Sequence, residues 1–306
     1  MAVTSATSAT SFRMTGARRA ALCFGVPVCL ALVAGLAFSL VADLGEGRYP
    51  VNYTVPASTK ALTLNVNGQL TIRPTTAGQA TLTGTAVYSL ARSTVSESTT
   101  SAGTTIGYGC PFPLGNCELD ATVTVPPTVT TLTASSGGGD ATVTGTTGPV
   151  KLSTGDGNLS VSHASGPLAL NTDSGSIQVS AIRSGTLSAS TGDGNIQAAE
   201  VTSATITANT DSGNINGSGI ATATITASTG DGGIEIAFTS VPRDVRVNTD
   251  SGNITLVLPP GPTQYDVTAN TDSGSVSYGT LPRNSSSPNV ITASSGSGNI
   301  TITQAQ

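Results

Sequence analysis

A six-residue phrase returns seven times down the C-terminal half of the chain: TGDGNL at Thr154, TDSGSI at Thr172, TGDGNI at Thr191, TDSGNI at Thr210, TGDGGI at Thr229, TDSGNI at Thr249 and TDSGSV at Thr271. Weaker copies, SGGGDA at Ser136 and SGSGNI at Ser295, bracket the series. The shared glycines are Gly139, Gly157, Gly175, Gly194, Gly213, Gly232, Gly252, Gly274 and Gly298, and the interval between them lengthens toward the C-terminus. A period of about 19 residues means a stack of equivalent units, each too small to bury its own apolar face.

The residues around each copy say what the unit is. Apolar side chains stand four and two positions before the Thr, then five and seven after it: Val150 and Leu152 with Leu159 and Val161, Leu168 and Leu170 with Ile177 and Val179, Val245 and Val247 with Ile254 and Leu256. That alternation is the period of a strand with one buried face, so each unit reads as strand, tight turn, strand. The sequence therefore predicts an all-β fold, a β-solenoid of stacked coils of about 19 residues. Nine coils at ~4.8 Å make a rod on the order of 40 Å long. The turn residues suit this reading: Gly supplies backbone angles closed to other residues, while Asp, Asn, Ser and Thr fold back onto local amides.

The two spellings alternate. The carboxylate lies two places after the Thr in TGDG copies (Asp156, Asp193, Asp231) and one place after it in TDSG copies (Asp173, Asp211, Asp250). In a parallel stack this keeps like charges from matched positions ~4.8 Å apart, where they would repel by about 1 kcal/mol in water. Asp250 and Asp272 break the alternation, at the place where the repeat lengthens.

The N-terminus carries a second signal. The run from Ala20 to Ala42 has no charge, and it is preceded by Arg13, Arg18 and Arg19 and followed by Asp43 and Glu46. A stretch of that length spans a ~30 Å hydrocarbon core and leaves the preceding arginines in the cytoplasm. The expected organisation is a cytoplasmic disordered tail (1–19), a transmembrane signal-anchor helix (20–42), a juxtamembrane linker (43–59), a β-rich start with a cysteine loop (60–130) and the solenoid repeats (131–306). The localisation that follows is a single-pass membrane protein with its C-terminal domain outside. The alternative is secretion after cleavage of a signal peptide at the small residues Ala37 and Ser39.

Within 60–130, LTLNVNGQLTIR alternates about Gly68 as an early coil of the same design, and the remainder reads as an insertion that caps the first coil. The far end shows no such protection, since the chain stops just after the strand NITITQAQ. Cys110 and Cys117, with two prolines and two glycines near them in GCPFPLGNC, are assigned as a disulfide across a hairpin loop in an oxidising compartment.

A membrane anchor, the loop GYGCPFPLGNC, a strand ending in VTVPP and serial T-x-x-G-x-I turns together resemble a bacterial putative-adhesin domain family, of actinobacterial type. The resemblance covers about residues 60–306. It implies a surface-exposed domain and supplies no catalytic residues.

Charge and composition weigh against other classes, while calcium binding by the turn aspartates is left open. Only 9% of residues are charged and the net charge is −5. From residue 131 onward five basic residues face twelve acidic ones, so no basic stripe exists to hold a nucleic acid. Calcium-binding rolls repeat about every nine residues so that adjacent turns share an ion, whereas here the period is doubled and the carboxylates are staggered. A polysaccharide lyase needs clustered carboxylates with a base, and the single histidine, His163, has no partner in its local sequence. A sugar platform needs exposed aromatic rings, and after residue 131 there are only Phe238, Tyr265 and Tyr278; all lie in the longer late repeats, so a small patch and any binding specificity are expected there, between Phe238 and Pro288. Arg243, Asp244 and Arg246 form one small charged cluster in the same region.

The sequence thus points to a non-enzymatic, membrane-anchored adhesin or surface scaffold. It has no catalytic, cofactor or metal residues, and its ligand is a cell-surface component or wall polymer. An envelope-sensing accessory protein acting with a membrane partner is the alternative, and oligomeric state is left open. The site residues assigned are the disulfide pair Cys110 and Cys117 and the turn glycines Gly157, Gly175, Gly194, Gly213, Gly232, Gly252, Gly274 and Gly298.

Overall fold

The computed structural model describes residues 46–89, 91–111 and 116–306. The described chain is built from strands: β1 (Glu46–Thr54), β2 (Ala61–Val66), β3 (Leu70–Pro74), β4 (Thr81–Ser89), β5 (Thr94–Thr100), β6 (Gly103–Gly109), β7 (Cys117–Val125), β8 (Thr131–Ser136), β9 (Ala141–Thr144), β10 (Val150–Thr154) and β11 (Leu159–Ser162). There follow β12 (Leu168–Thr172), β13 (Ile177–Thr191), β14 (Ile196–Thr210), β15 (Ile215–Thr229), β16 (Ile234–Phe238), β17 (Asp244–Thr249), β18 (Ile254–Leu258), β19 (Asp266–Thr271), β20 (Val276–Ser277), β21 (Val290–Ser295) and β22 (Ile300–Gln304). Among these residues no helix is long and apolar enough to cross a membrane, and the span expected at 20–42 lies outside the described residues.

Parallel pairing sorts most strands into two ladders that climb a rod side by side. One runs β6, β2, β8, β10, β12, β13, β14, β15, β17, β21, β19. The other runs β7, β3, β9, β11, β13, β14, β15, β16, β18, β22, β20. Strands β13, β14 and β15 serve both, because each is 15 residues long and turns a corner midway. Each ladder has eleven rungs, which at ~4.8 Å apart give a rod about 50 Å long. Nine coils lie after residue 131, as the repeat predicts, and the coil expected around Gly68 is β2 with β3.

The alternation rule sets the register. Leu152 stacks on Leu170, Ile177 on Ile196, Leu187 on Ile206 and Ile254 on Ile300, and all eight are at most 3% exposed. At ~1.5 to 3 kcal/mol for each buried aliphatic side chain, the column of neighbours rather than any single coil holds the fold.

The coils do not stack in sequence order at either end. At the N-terminal end the coil β2/β3 lies between β8/β9 and β6/β7, so the later strands form the outer layer. Strand β4 pairs antiparallel with β7 and with β1, and β5 with β6, so antiparallel strands layer this end; β1 corrects the expectation of a linker at 43–59, because from Glu46 the chain is a strand paired along its length with β4. At the C-terminal end β21/β22 is inserted between β17/β18 and β19/β20. The expectation of an unprotected last strand is therefore corrected: β22 pairs on both sides and the outer layer is β19/β20. The same insertion restores the alternation of the turns. In space the residue after the Thr or Ser reads Gly155, Asp173, Gly192, Asp211, Gly230, Asp250, Gly296, Asp272, with no two aspartates adjacent.

A third, shorter side closes each central coil. The chain enters it through a residue in the left-handed region, at Gly145 (φ 68°), His163 (54°), Ala181 (51°), Glu200 (55°) and Gly219 (66°), one per coil. Four of the residues that follow these corners, Ala164, Ile182, Val201 and Ile220, point into the core and are at most 1% exposed.

Candidate binding surface

The repeated turns are built by their threonines. Thr172 Oγ1 donates to the Gly157 carbonyl of the coil below (3.0 Å) and accepts from the Gly175 amide of its own turn (3.1 Å). Thr191, Thr210 and Thr229 repeat both bonds, and all are buried. Each hydroxyl thus closes its own turn and clasps the preceding one.

The glycines hold their places for a different reason from the one expected. None of Gly157, Gly175, Gly194, Gly213, Gly232, Gly252, Gly274 and Gly298 has φ in the left-handed region. A Cβ on any of them would instead collide with the carbonyl of the stacked glycine in the adjacent coil, as Gly175 would with Gly157 and Gly194 with Gly175. Close approach of coil to coil excludes every side chain there.

The asparagines also depart from expectation. They bond the amide of the neighbouring coil rather than their own turn: Asn158 Oδ1 accepts from the Ser176 amide (2.9 Å), Asn195 from Asn214 (2.8 Å), Asn214 from Gly233 (2.8 Å) and Asn253 from Asn299 (2.8 Å). The aspartates at Asp156, Asp173, Asp193, Asp211, Asp231 and Asp250 are all exposed. Among the described residues no three His, Cys, Asp or Glu side chains come together to hold a metal.

The other candidate residues do not form a site either. Phe238 and Tyr265 are buried at 5% and 0% exposure, so two of the three late aromatic residues belong to the core. The third, Tyr278, is partly buried with the Arg283 guanidinium 4.1 Å above its ring. The sugar platform considered for the long repeats is absent there. His163 is exposed at a corner, and Arg246 pairs with its own neighbour Asp244 at 2.6 Å. Cys110 and Cys117 are disulfide-bonded, Cα atoms 6.0 Å apart, linking the end of β6 to the start of β7.

What remains is the outer surface of the ladders. In the first ladder the residue before the turn Thr or Ser reads, in stacking order, Ser153, Asn171, Ser190, Asn209, Ser228, Asn248, Ser294 and Asn270. In the second, Gln178, Gln197, Asn216 and Glu235 lie in register and exposed, over a shallow depression of about 320 Å³. The depression lies beside a row of small outward residues, Ala199, Ser218 and Ala237, each two positions along its strand from Gln197, Asn216 and Glu235. Among the described residues Val241 is the exposed large hydrophobic. Sequence alternation marked these positions as outward, and the depression depends on the small outward residues beside them in the stacked coils.

No curated protein matches the chain. Solved structures resemble it, among them the following three. A protein of Parabacteroides distasonis described as a putative lipid binding protein is 13% identical and aligns over 84% of this chain and 97% of its own, at a TM-score of 0.52. A putative adhesin of Bacteroides fragilis is 14% identical and aligns over 85% and 97%, with a TM-score of 0.43. A putative cell adhesion protein of Clostridium sporogenes is 14% identical and aligns over 84% and 100%, with a TM-score of 0.23. At these identities the likeness concerns the fold alone. The model of the Toastrack family, DUF4097, matches residues 51–303, five-sixths of the sequence and every strand of both ladders. The chain belongs to the Toastrack DUF4097 family.

Proposed function

We propose that this protein is a non-enzymatic adhesin or surface scaffold, anchored in the membrane through residues 20–42 and displaying its solenoid outside the cell. The observation that carries the reading is the second ladder's outer face, where Gln178, Gln197, Asn216 and Glu235 repeat at coil spacing above a shallow depression. Amides at regular ~4.8 Å intervals suit a linear polymer whose hydroxyls or amides recur along its length, bound through many weak, wet contacts. The disulfide fits an oxidising compartment outside the cytoplasm.

Cells producing the full chain should bind isolated cell-wall polymer, with or without EDTA. The triple replacement Gln178→Ala, Gln197→Ala and Asn216→Ala should abolish binding while leaving the melting temperature within a few degrees of the parent, because all three side chains are exposed. Failure of the unaltered chain to bind wall polymer, cells or itself overturns the reading, and binding lost in EDTA reinstates calcium.

A further inference from the structure

The C-terminal end of the rod is open. Along the first ladder, Val245, Val247 and Thr249 of β17 and Ile291, Ala293 and Ser295 of β21 point inward and are at most 3% exposed. Their counterparts in β19, Val267, Ala269 and Thr271, are only partly covered, and so is Val276 in β20. Among the described residues β19 pairs with β21 alone along its length and β20 with β22 alone, so no coil lies beyond them.

The outer edge of β19 carries free backbone groups. The amides of Asp266 and Asp272 turn toward β21, donating to the carbonyls of Asn289 (2.8 Å) and Ser295 (3.2 Å). Successive residues of a strand face opposite sides, so Val267, Ala269 and Thr271 turn their N–H and C=O groups outward. Tyr265 faces the same way but is occupied: its amide donates to the Pro282 carbonyl (3.1 Å) and its carbonyl accepts from the Asn284 amide (2.9 Å). A short row of backbone groups with partly bare apolar side chains behind it is completed by another strand. The opposite end of the rod offers no match, because the first ladder ends there in β5, TVSESTT, where every residue but Val95 is exposed.

We propose that β19 pairs antiparallel with β19 of a second copy, joining two rods tip to tip about a two-fold axis. Such a contact uses the same strand on both sides and closes on itself. Backbone and charge choose the register. The outward-turned residues have to face one another, and the symmetric alignments that pair more than one of them centre on Thr268, Ala269 or Asn270. Centring on Thr268 sets Thr271 against Tyr265 of the second copy, whose backbone is taken. Centring on Ala269 sets Asp266 against Asp272 of the second copy, like charges about 5 Å apart at Cβ. Centring on Asn270 avoids both. Ala269 and Thr271 then exchange backbone bonds with Thr271 and Ala269 of the second copy, and the Thr268 hydroxyl faces an Asp272 carboxylate to which it can donate. A contact of this size is weak, and it gains strength where many copies face one another. The N-terminal ends of the joined rods lie about 100 Å apart and point away from each other, so anchored copies meet from facing membranes and released copies meet in solution.

Cysteine cross-linking reads the register. The full chain, carrying Cys23→Ser and Cys29→Ser so that only the native disulfide remains, is made with either of two tags, and the two populations are mixed in detergent under mild oxidation. Asn270→Cys in both should give the mixed-tag disulfide roughly tenfold faster than Asn248→Cys, through the effective concentration that pairing creates. Asn248 is an exposed residue of the same column, two coils inside the tip. Facing residues of a non-hydrogen-bonded antiparallel pair lie within disulfide reach. A rate no greater than that of Asn248→Cys overturns the proposal. So does faster linking of Thr268→Cys to itself or to Asn270→Cys, which the other two registers require. Ala269→Pro removes an N–H that faces the second copy and leaves the bonds to β21 in place. Added to Asn270→Cys, it should slow linking to the Asn248→Cys rate at an unchanged melting temperature, and linking that persists in the folded proline variant overturns the pairing. Should the proline variant fail to fold, the cysteine rates alone decide. Wall-polymer binding without the mixed-tag disulfide overturns the pairing and leaves the ladder-face reading standing.

Discussion

At the scale of single residues, the T-x-x-G phrase was legible in the sequence, but its physical cause was not. Glycine in a turn suggests special backbone angles, and only the stacked structure shows that carbonyls of adjacent coils exclude a Cβ instead. The two explanations predict different mutants. Gly194→Ala should cost about 3 kcal/mol in chemical denaturation, because the backbone of two coils must part. Gly185→Ala, with nothing within 4 Å of its Cβ and no positive φ, should stabilise by about 0.5 kcal/mol through the unfolded chain. The left-handed corners were illegible, since Gly, His, Ala, Glu and Gly share no chemistry; the geometry of the bend imposes the angle on whatever residue stands there. For a non-glycine residue that angle costs about 1 kcal/mol. Glu200→Gly should accordingly raise stability by a few tenths of a kcal/mol, the strain relieved exceeding the chain entropy lost, as read from denaturant midpoints.

Among the elements, the strands were legible wherever apolar residues alternate, and the departures fall where a neighbour from another part of the chain takes over. The late loops look in sequence like stretched repeats that offer aromatic rings to a ligand. In the fold, Tyr265 is instead a core residue at the start of the β19 coil, fully buried with an unpartnered hydroxyl. Burial raises its pKa above the ordinary phenol value, and burial likewise raises that of Tyr108. The unfolded chain loses these protons near pH 10, earlier than the folded one. Their contribution is therefore whole below about pH 10 and lost as pH rises through the folded-state values. Tyr265→Phe should stabilise the protein by about 1 kcal/mol at neutral pH, by removing the unpaired group. It should also make the alkaline fall in melting temperature shallower, with Tyr108 left to account for part of the remaining slope.

For the molecule as a whole, the one irregularity that sequence reading left as a defect, aspartates at both Asp250 and Asp272 in successive copies, records the inserted coil. Held to as a rule, the alternation demands a glycine turn between them, and Gly296 is the residue that fills the slot. What sequence order hides is that pairing partners need not be successive, so the lengthened repeats were read as loops rather than as the reach needed to skip a layer. Removing residues 290–306 should expose the edges of β17/β18 and leave β19/β20 unpaired, and the product should aggregate in light scattering. Removing residues 259–289 and bridging Leu258 to Val290 with a copy of the segment 239–243 that joins β16 to β17 should leave the rest folded, with β21/β22 as the new outer layer and a cooperative melt. Aggregation of the second variant and not the first would show that the insertion has no protective role.

The exchanged layers at the two ends also bear on how such a gene can change. A copy gained or lost at either extremity would disrupt a three-layer interlock, whereas a copy gained or lost between β10 and β16 meets its own kind above and below. The alternating aspartates add a parity rule, because a single extra coil would bring two carboxylates face to face. Relatives of this chain should therefore differ in length by pairs of coils spliced into the middle of the rod.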